Sequence, residues 1–271
     1  MTDIEPVLRD LQDEGDALDQ MVAGLSGAGW TGPTPAPGWT VAHQIAHLAW
    51  TDQIALLAAT DPDAFATAIQ AALSSIDSYV DEAAAAGARL APDVLLDNWR
   101  RGRSALLTAL RKTPPGAKLP WFGPPMGAAS MATARLMETW AHGTDVASTL
   151  RLPNRPTARL RNVAHIAVRT RDFAFLLHDL PVPDNAFRIE LTAPDGQLWT
   201  WGQLDSTQRV TGSALDFCLL ATQRINRADT DLAATGEQAH RWLDIIQAFA
   251  GPPGAGRPSR GATQETAGGR T

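Results

Sequence analysis

Residues 35–50, PAPGWTVAHQIAHLAW, decide how this chain is read. They close an irregular stretch that begins at 27. Thr40 then stands where a helix N-cap belongs, and the apolar run behind it predicts a helix from Val41 to about Ala59. His43 and His47 are one turn apart on it, so both side chains leave the same face. Working outward, apolar residues at 4, 7, 8, 11, 18, 21, 22 and 25 repeat with the helical period and predict an amphipathic helix from Ile4 to Leu25. Asp61-Pro62-Asp63 ends the histidine-bearing helix and starts an Ala-rich one reaching about Ala86; another is predicted from about Asp93 to Arg111. The stretch TPPGAKLPWFGPPMGAAS (113–130) holds too much Pro and Gly for a regular element, and Ser130 is placed to cap a fifth helix ending at Leu150. Helices with one apolar face each, joined by mostly short loops, predict a bundle.

Past Leu152-Pro153 the pattern changes. Residues 157–178 still read as helix, but Phe187, Ile189 and Leu191 alternate with polar neighbours, Pro194-Asp195-Gly196 makes a turn, and 198–201 forms a second strand. Helical patterns return at 213–224 and 237–249. The fold class is therefore α+β: a bundle over 1–153, a small α+β domain over 154–250 with the boundary somewhere in 153–183, and a disordered tail over 251–271 that has almost nothing to bury.

The 271 residues are 44% hydrophobic, enough for a buried core. A net charge of −6, with Lys112 and Lys118 the only lysines, argues against nucleic-acid or anionic-membrane partners. No apolar run is long enough for a membrane span and the start does not resemble a signal peptide, so a cytoplasmic monomer or homodimer acting on a small molecule is expected. Cys218 is the only cysteine, which excludes an intramolecular disulfide and four-sulfur zinc modules; any metal must use His, Asp or Glu. Its apolar surroundings, LDFCLLA, mark a buried structural thiol. Dinucleotide, P-loop and serine-hydrolase motifs are missing from the sequence.

The chemistry-bearing residues are paired. Glu138 and His142 repeat the one-turn spacing of His43 and His47 on a second helix, and two bundle helices each offering such a pair is how bundle cores assemble metal sites. Arg135, one turn before Glu138, is a candidate to bind a substrate or thiol carboxylate. Trp39, Trp50 and Trp140 flank the candidate ligands, and Trp121 lies in an apolar loop segment, WFGPPM, that could wall a pocket.

PAPGWTVAHQIAHLAW followed about ninety residues later by ARLMETWAHGTDV (134–146) resembles the N-terminal domain of mycothiol-dependent maleylpyruvate isomerases, within the DinB-like metal-binding four-helix bundles. The segments 210–224 and 235–249 resemble the small sterol-carrier-like C-terminal domain that accompanies it. The resemblance implies a divalent metal, typically zinc, on His47, Glu138 and His142, with mycothiol as cosubstrate. Family members commonly carry an acid where His43 stands, which leaves His43 as a fourth ligand, a proton shuttle or a partner of its own loop; we take it, with Asp145, as a catalytic candidate. Asp145 matches an Asp common after the ligand histidine and could orient a neighbouring group. The implied activity is thiol-dependent isomerisation or transfer on a small electrophilic metabolite. Thiol-independent metal-dependent hydrolase, lyase, hydratase or cyclase chemistry is the alternative, and a non-catalytic metal- or ligand-binding module the third reading.

Overall fold

In the computed structural model, which describes residues 3–73, 78–153 and 155–261, the chain divides into two units, Met1–Asn154 and Arg155–Thr271. The first contains α1 (Glu5–Val22), α2 (Gly27–Trp30), α3 (Val41–Thr60), α4 (Pro62–Leu73), α5 (Tyr79–Ala88), α6 (Pro92–Lys112) and α7 (Ala128–Thr149). Helix α3 packs against α5, α6 and α7, while α1 closes on α6 and α7. That central place explains its composition: α3 carries no charge except Asp52 and buries residues on most of its circumference. Leu18, Val22, Trp30, Val41, Ile45, Leu48, Leu95, Trp99 and Val146 form the core between these helices. Asp19 ties α1 to α6 by accepting hydrogen bonds from Arg100 and Arg103.

Where α5 crosses α3 there is no room for a side chain. A Cβ at Gly87 would stand 2.7 Å from the Cβ of Ala46. This brings the start of α5, with Tyr79 and Asp81, beside the histidine-bearing helix.

Three expectations for this unit change. Ser130 does not cap α7; Gly127, extended at φ −72° and ψ 163°, takes that place and its carbonyl receives the Met131 N–H. The long Ala-rich helix is two helices, α4 and α5. The irregular stretch from 27 contains a short turn of helix, α2, whose first turn is capped by the Ser26 hydroxyl accepting from Gly29 N–H.

The second unit holds α8 (Leu160–Arg169), α9 (Arg171–Leu177), β1 (Phe187–Thr192), β2 (Leu198–Trp201), β3 (Gln208–Ser213), α10 (Ala214–Ala221), β4 (Ala233–Thr235) and α11 (Glu237–Ile245). Its sheet has the order β2-β1-β3-β4, with β1 antiparallel to β2, parallel to β3, and β3 antiparallel to β4. The alternation of Phe187, Ile189 and Leu191 is obeyed: all three are buried, and Phe187 and Phe217 both meet Trp242 edge-on. Cys218 is fully buried and its Sγ donates to the Leu160 carbonyl. Residues 251–261, read from composition as the start of a disordered tail, are instead tied to the unit through polar groups. Gln247 donates to the Gly251 carbonyl, Asn226 to the Arg257 carbonyl, and Asp229 accepts from Arg260 N–H. Residues 262–271 lie outside the described residues.

Candidate metal centre

The first turn of α3 is set by a reciprocal cap. The Thr40 hydroxyl serves the backbone of His43, and His43 Nδ1 lies 2.8 Å from Thr40 Oγ1 and accepts the Thr40 N–H at 3.3 Å. His43 is thereby engaged with its own loop. Burial lowers its pKa below the usual histidine value, with the Asp81 carboxylate opposing, so the neutral ring that can accept from Thr40 is favoured. Its placement answers to the third of the roles left open for it, and the group that closes on the Glu138 carboxylate does not include it.

One turn further on, His47 projects from α3 toward α7. Its Nε2 is 3.4 Å from Glu138 Oε2, and His142 Nε2 is 3.2 Å from the same oxygen. The ligand-type atoms of His47, Glu138 and His142 all lie within 4.8 Å of one another. Burial alone would push the Glu138 carboxyl up; hydrogen bonds from His142 and His47, together with their charge, reverse this and hold it well below the usual carboxylate range. Both imidazoles are buried, and the Glu138 side chain, 20% exposed, is the open member.

Two imidazole nitrogens and a carboxylate oxygen facing one point repel unless positive charge lies between them, supplied by protons or by a cation. Nitrogen and oxygen donors of this kind suit a divalent ion such as zinc, and three protein ligands leave further positions open. The residues therefore fit the group that the sequence implies.

The rest of the site comes from α3, α7 and the loops. His142 Nδ1 is hydrogen-bonded to Gln44 Oε1, and Gln44 is fully buried. His47 Nδ1 is buried without a hydrogen-bond partner among the described residues. Trp39 stacks on His142 with centroids 5.9 Å apart and stands 5.4 Å from His47, its indole N–H held by Asp81 at 2.8 Å. Trp50 lies 5.9 Å from His47 and continues outward to Tyr79 and Phe122. Trp121 sits further out, against Phe122 and Phe65. The loop carrying it is pinned by a bridge between Leu119 and Met126.

Arg135 requires correction. It does not reach toward a substrate: its Nε donates to Asp52 Oδ1 at 2.9 Å and its Nη2 to Thr51 Oγ1 at 2.6 Å, in a pair whose side chains are 2% and 4% exposed. Trp99 Nε1 donates to the other Asp52 oxygen. The spacing to Glu138 is right, but the guanidinium finds its carboxylate on α3. Asp145 is buried further along α7 and is not one of the three converging groups. Contacts thus step along α3 from Gln44 to His47 to Asp52 as they step back along α7 from His142 to Glu138 to Arg135, which makes the helices antiparallel. Gln44, Thr51 and Asp52 escaped the sequence reading, although each is a polar residue inside an apolar helix, a signal of a buried partner.

A helical bundle with a His–Glu–His group buried between two antiparallel helices, followed by a small α+β unit, defines the class. Residues 11–147 match the family model described as the mycothiol maleylpyruvate isomerase N-terminal domain, and the chain belongs to that family. Residues 183–235 match a second model, described as wyosine base formation. Uncharacterized proteins from two strains of Mycobacterium tuberculosis are 54% identical over 257 residues, covering 95% of this chain and all of theirs. The crystal structure of a mycothiol-dependent maleylpyruvate isomerase is similar with a TM-score of 0.59 and 17% identity, over 86% of this chain and 93% of that one. A histidine-to-alanine variant of such an enzyme gives 0.58 and 16% over the same shares. At these identities the likeness shows a shared fold.

Proposed function

We propose that this chain is a metal-dependent isomerase or transferase that uses a low-molecular-weight thiol, mycothiol, on a small electrophilic metabolite. The observation that carries the proposal is the convergence of His47, Glu138 and His142 inside a bundle of the maleylpyruvate isomerase family. These three residues would hold the metal, zinc being the ion best suited to their donors. When bound, a divalent ion at such a site supplies a Lewis acid that favours thiolate over thiol and polarises a carbonyl.

The chain's own groups define what else is needed. Burial pushes the Cys218 thiol far above its ordinary value, so it is no nucleophile, and the sulfur must arrive with a cosubstrate. In an isomerisation the thiolate adds to a conjugated double bond, the resulting single bond rotates, and elimination returns the thiolate and the alkene in its other geometry. Trp39 and Trp50 line the imidazoles and exclude water from their side. Arg135 is committed to Asp52 and is not available to pair with a substrate carboxylate.

Elemental analysis of purified protein, followed by turnover of maleylpyruvate and related enediones with and without mycothiol, tests the proposal. About one equivalent of metal and thiol-dependent turnover are expected. Metal-dependent turnover that ignores the thiol would replace the proposal with a hydrolase, lyase, hydratase or cyclase, and absence of metal would sink both.

A further inference from the structure

Gln44 lies between the two α3 histidines, and its hydrogen bonds leave no freedom of direction. Thr34 Oγ1 and the Trp39 carbonyl oxygen are 2.9 Å apart. A proton must lie between two oxygens at that distance, and the carbonyl has none, so the Thr34 hydroxyl donates. The same hydroxyl oxygen is 2.9 Å from Gln44 and, its one proton being used, accepts there; the Gln44 atom facing it is the amide nitrogen. The other end of the amide is then the oxygen, which only accepts, and it faces His142 Nδ1. His142 therefore donates from Nδ1, and its Nε2, 3.2 Å from Glu138 Oε2, is the nitrogen left to carry a second proton or to face a cation.

We infer that Gln44 is a positioning residue that fixes the tautomer and ring orientation of His142, and that the Thr34–Trp39 turn fixes Gln44 in its turn. This rests on the proposal that His142 is a metal ligand only for its effect on affinity; the tautomer itself is a property of the metal-free chain. The two imidazoles are unequal in this respect. His47 Nδ1 has no hydrogen-bond partner among the described residues and is held by packing against Trp39 and Trp50, so Gln44 is the tether through which the chain orients a ligand ring. Because Trp39 also stacks on His142, the same turn presents the ring that covers the imidazole and anchors the amide behind it.

The test uses the full chain and two readouts. Imidazole 15N NMR of the metal-free protein, at a pH where histidines are neutral, is expected to give His142 as the Nδ1–H tautomer in the parent and a mixture in Gln44→Leu, with Gln44→Glu restoring the parent form. Competition of zinc against a chelator is expected to give Gln44→Leu a roughly 10–100-fold weaker affinity, with Gln44→Glu recovering most of the loss. Thr34→Val, which keeps the backbone bond from Thr34 N–H to the Trp39 carbonyl and frees the amide to flip, should also mix the tautomers and serves if Gln44→Leu does not fold. An Nε2–H tautomer in the parent, or a His142 tautomer and zinc affinity unmoved by Gln44→Leu, would overturn the inference. A parent that shows the Nδ1–H tautomer but binds no zinc would support the Gln44 assignment and overturn the metal reading.

Discussion

Replacing Arg135 by Met separates a structural cation from a substrate-binding one. The Arg135 and Asp52 side chains are 2% and 4% exposed, so the substitution leaves a carboxylate in the bundle interior with, among the described residues, only the Trp99 indole N–H hydrogen-bonded to it, and strips Thr51 Oγ1 of its donor. Breaking a buried pair from one side costs about 3–5 kcal/mol, because the surviving charge is neither solvated nor neutralised. For a unit of this size each kcal/mol lowers the melting temperature by about 2–4 °C, so a fall of roughly 6–20 °C is expected. Pairing the change with Asp52→Asn removes the charge and keeps an acceptor for Trp99, and should recover most of the loss. Urea unfolding of the metal-free protein, followed by tryptophan fluorescence and far-UV circular dichroism, measures both variants; equal slopes establish that midpoints report stability. An Arg135→Met protein that unfolds at the parent midpoint yet loses substrate affinity would refute the structural reading and return Arg135 to the substrate. A double variant no more stable than the single one would refute the electrostatic account.

Other perturbations follow from the same geometry. His43 has a folded pKa below its ordinary 6.5, so the unfolded chain takes up a proton first as pH falls; stability present above that value should be lost below it, and His43→Asn should flatten this part of a stability-against-pH curve measured without metal. Gly87→Ala places a Cβ 2.7 Å from that of Ala46 and should cost about 1–3 kcal/mol by overpacking, with Ala46→Gly in the same chain returning part of it in urea titrations. Cys218→Ser should leave turnover and metal content unchanged, since the thiol is buried and its hydrogen bond goes to the Leu160 carbonyl; loss of activity in a folded Cys218→Ser protein would contradict the need for an external thiol.

The bundle was largely legible because its helices bury one face against solvent on the other, and that contrast is written at the helical period in 4–25, 41–59 and 93–111. The hairpin of β1 and β2 was legible for the same reason at period two. Strand β3 was not: QRVTGS has one buried apolar residue, Val210, and is held by backbone pairing to β1 that no local pattern reveals. Strand β4 spans three residues and exists only through β3. In the site, the one-turn spacings brought up His43, His47, Glu138 and His142 together, and the family resemblance singled out the three that converge in the structure. The partners of Arg135 and Gln44 depend on how α3 and α7 are aligned, which is information about two segments about ninety residues apart. His43 illustrates a different limit, because a residue at the third helical position serves its cap or the site according to which way its ring turns.

The contacts between α3 and α7 act as a key cut at several depths. Moving one helix along the other by a single turn, about 5.4 Å, would part Gln44 from His142, His47 from Glu138, and Asp52 from Arg135 at one stroke. Axial sliding is the cheapest deformation open to two smooth apolar helices, and here it is blocked by a buried charge on one side and a buried amide on the other. The spacing of His47, Glu138 and His142 is therefore protected against the drift that accumulates as core residues are exchanged. Diversification of chemistry on such a scaffold falls to what surrounds these three residues, namely the turn bearing Trp39, the exposed face of Trp50 and the loop bridged at Leu119 and Met126, none of which sets the alignment of the two helices.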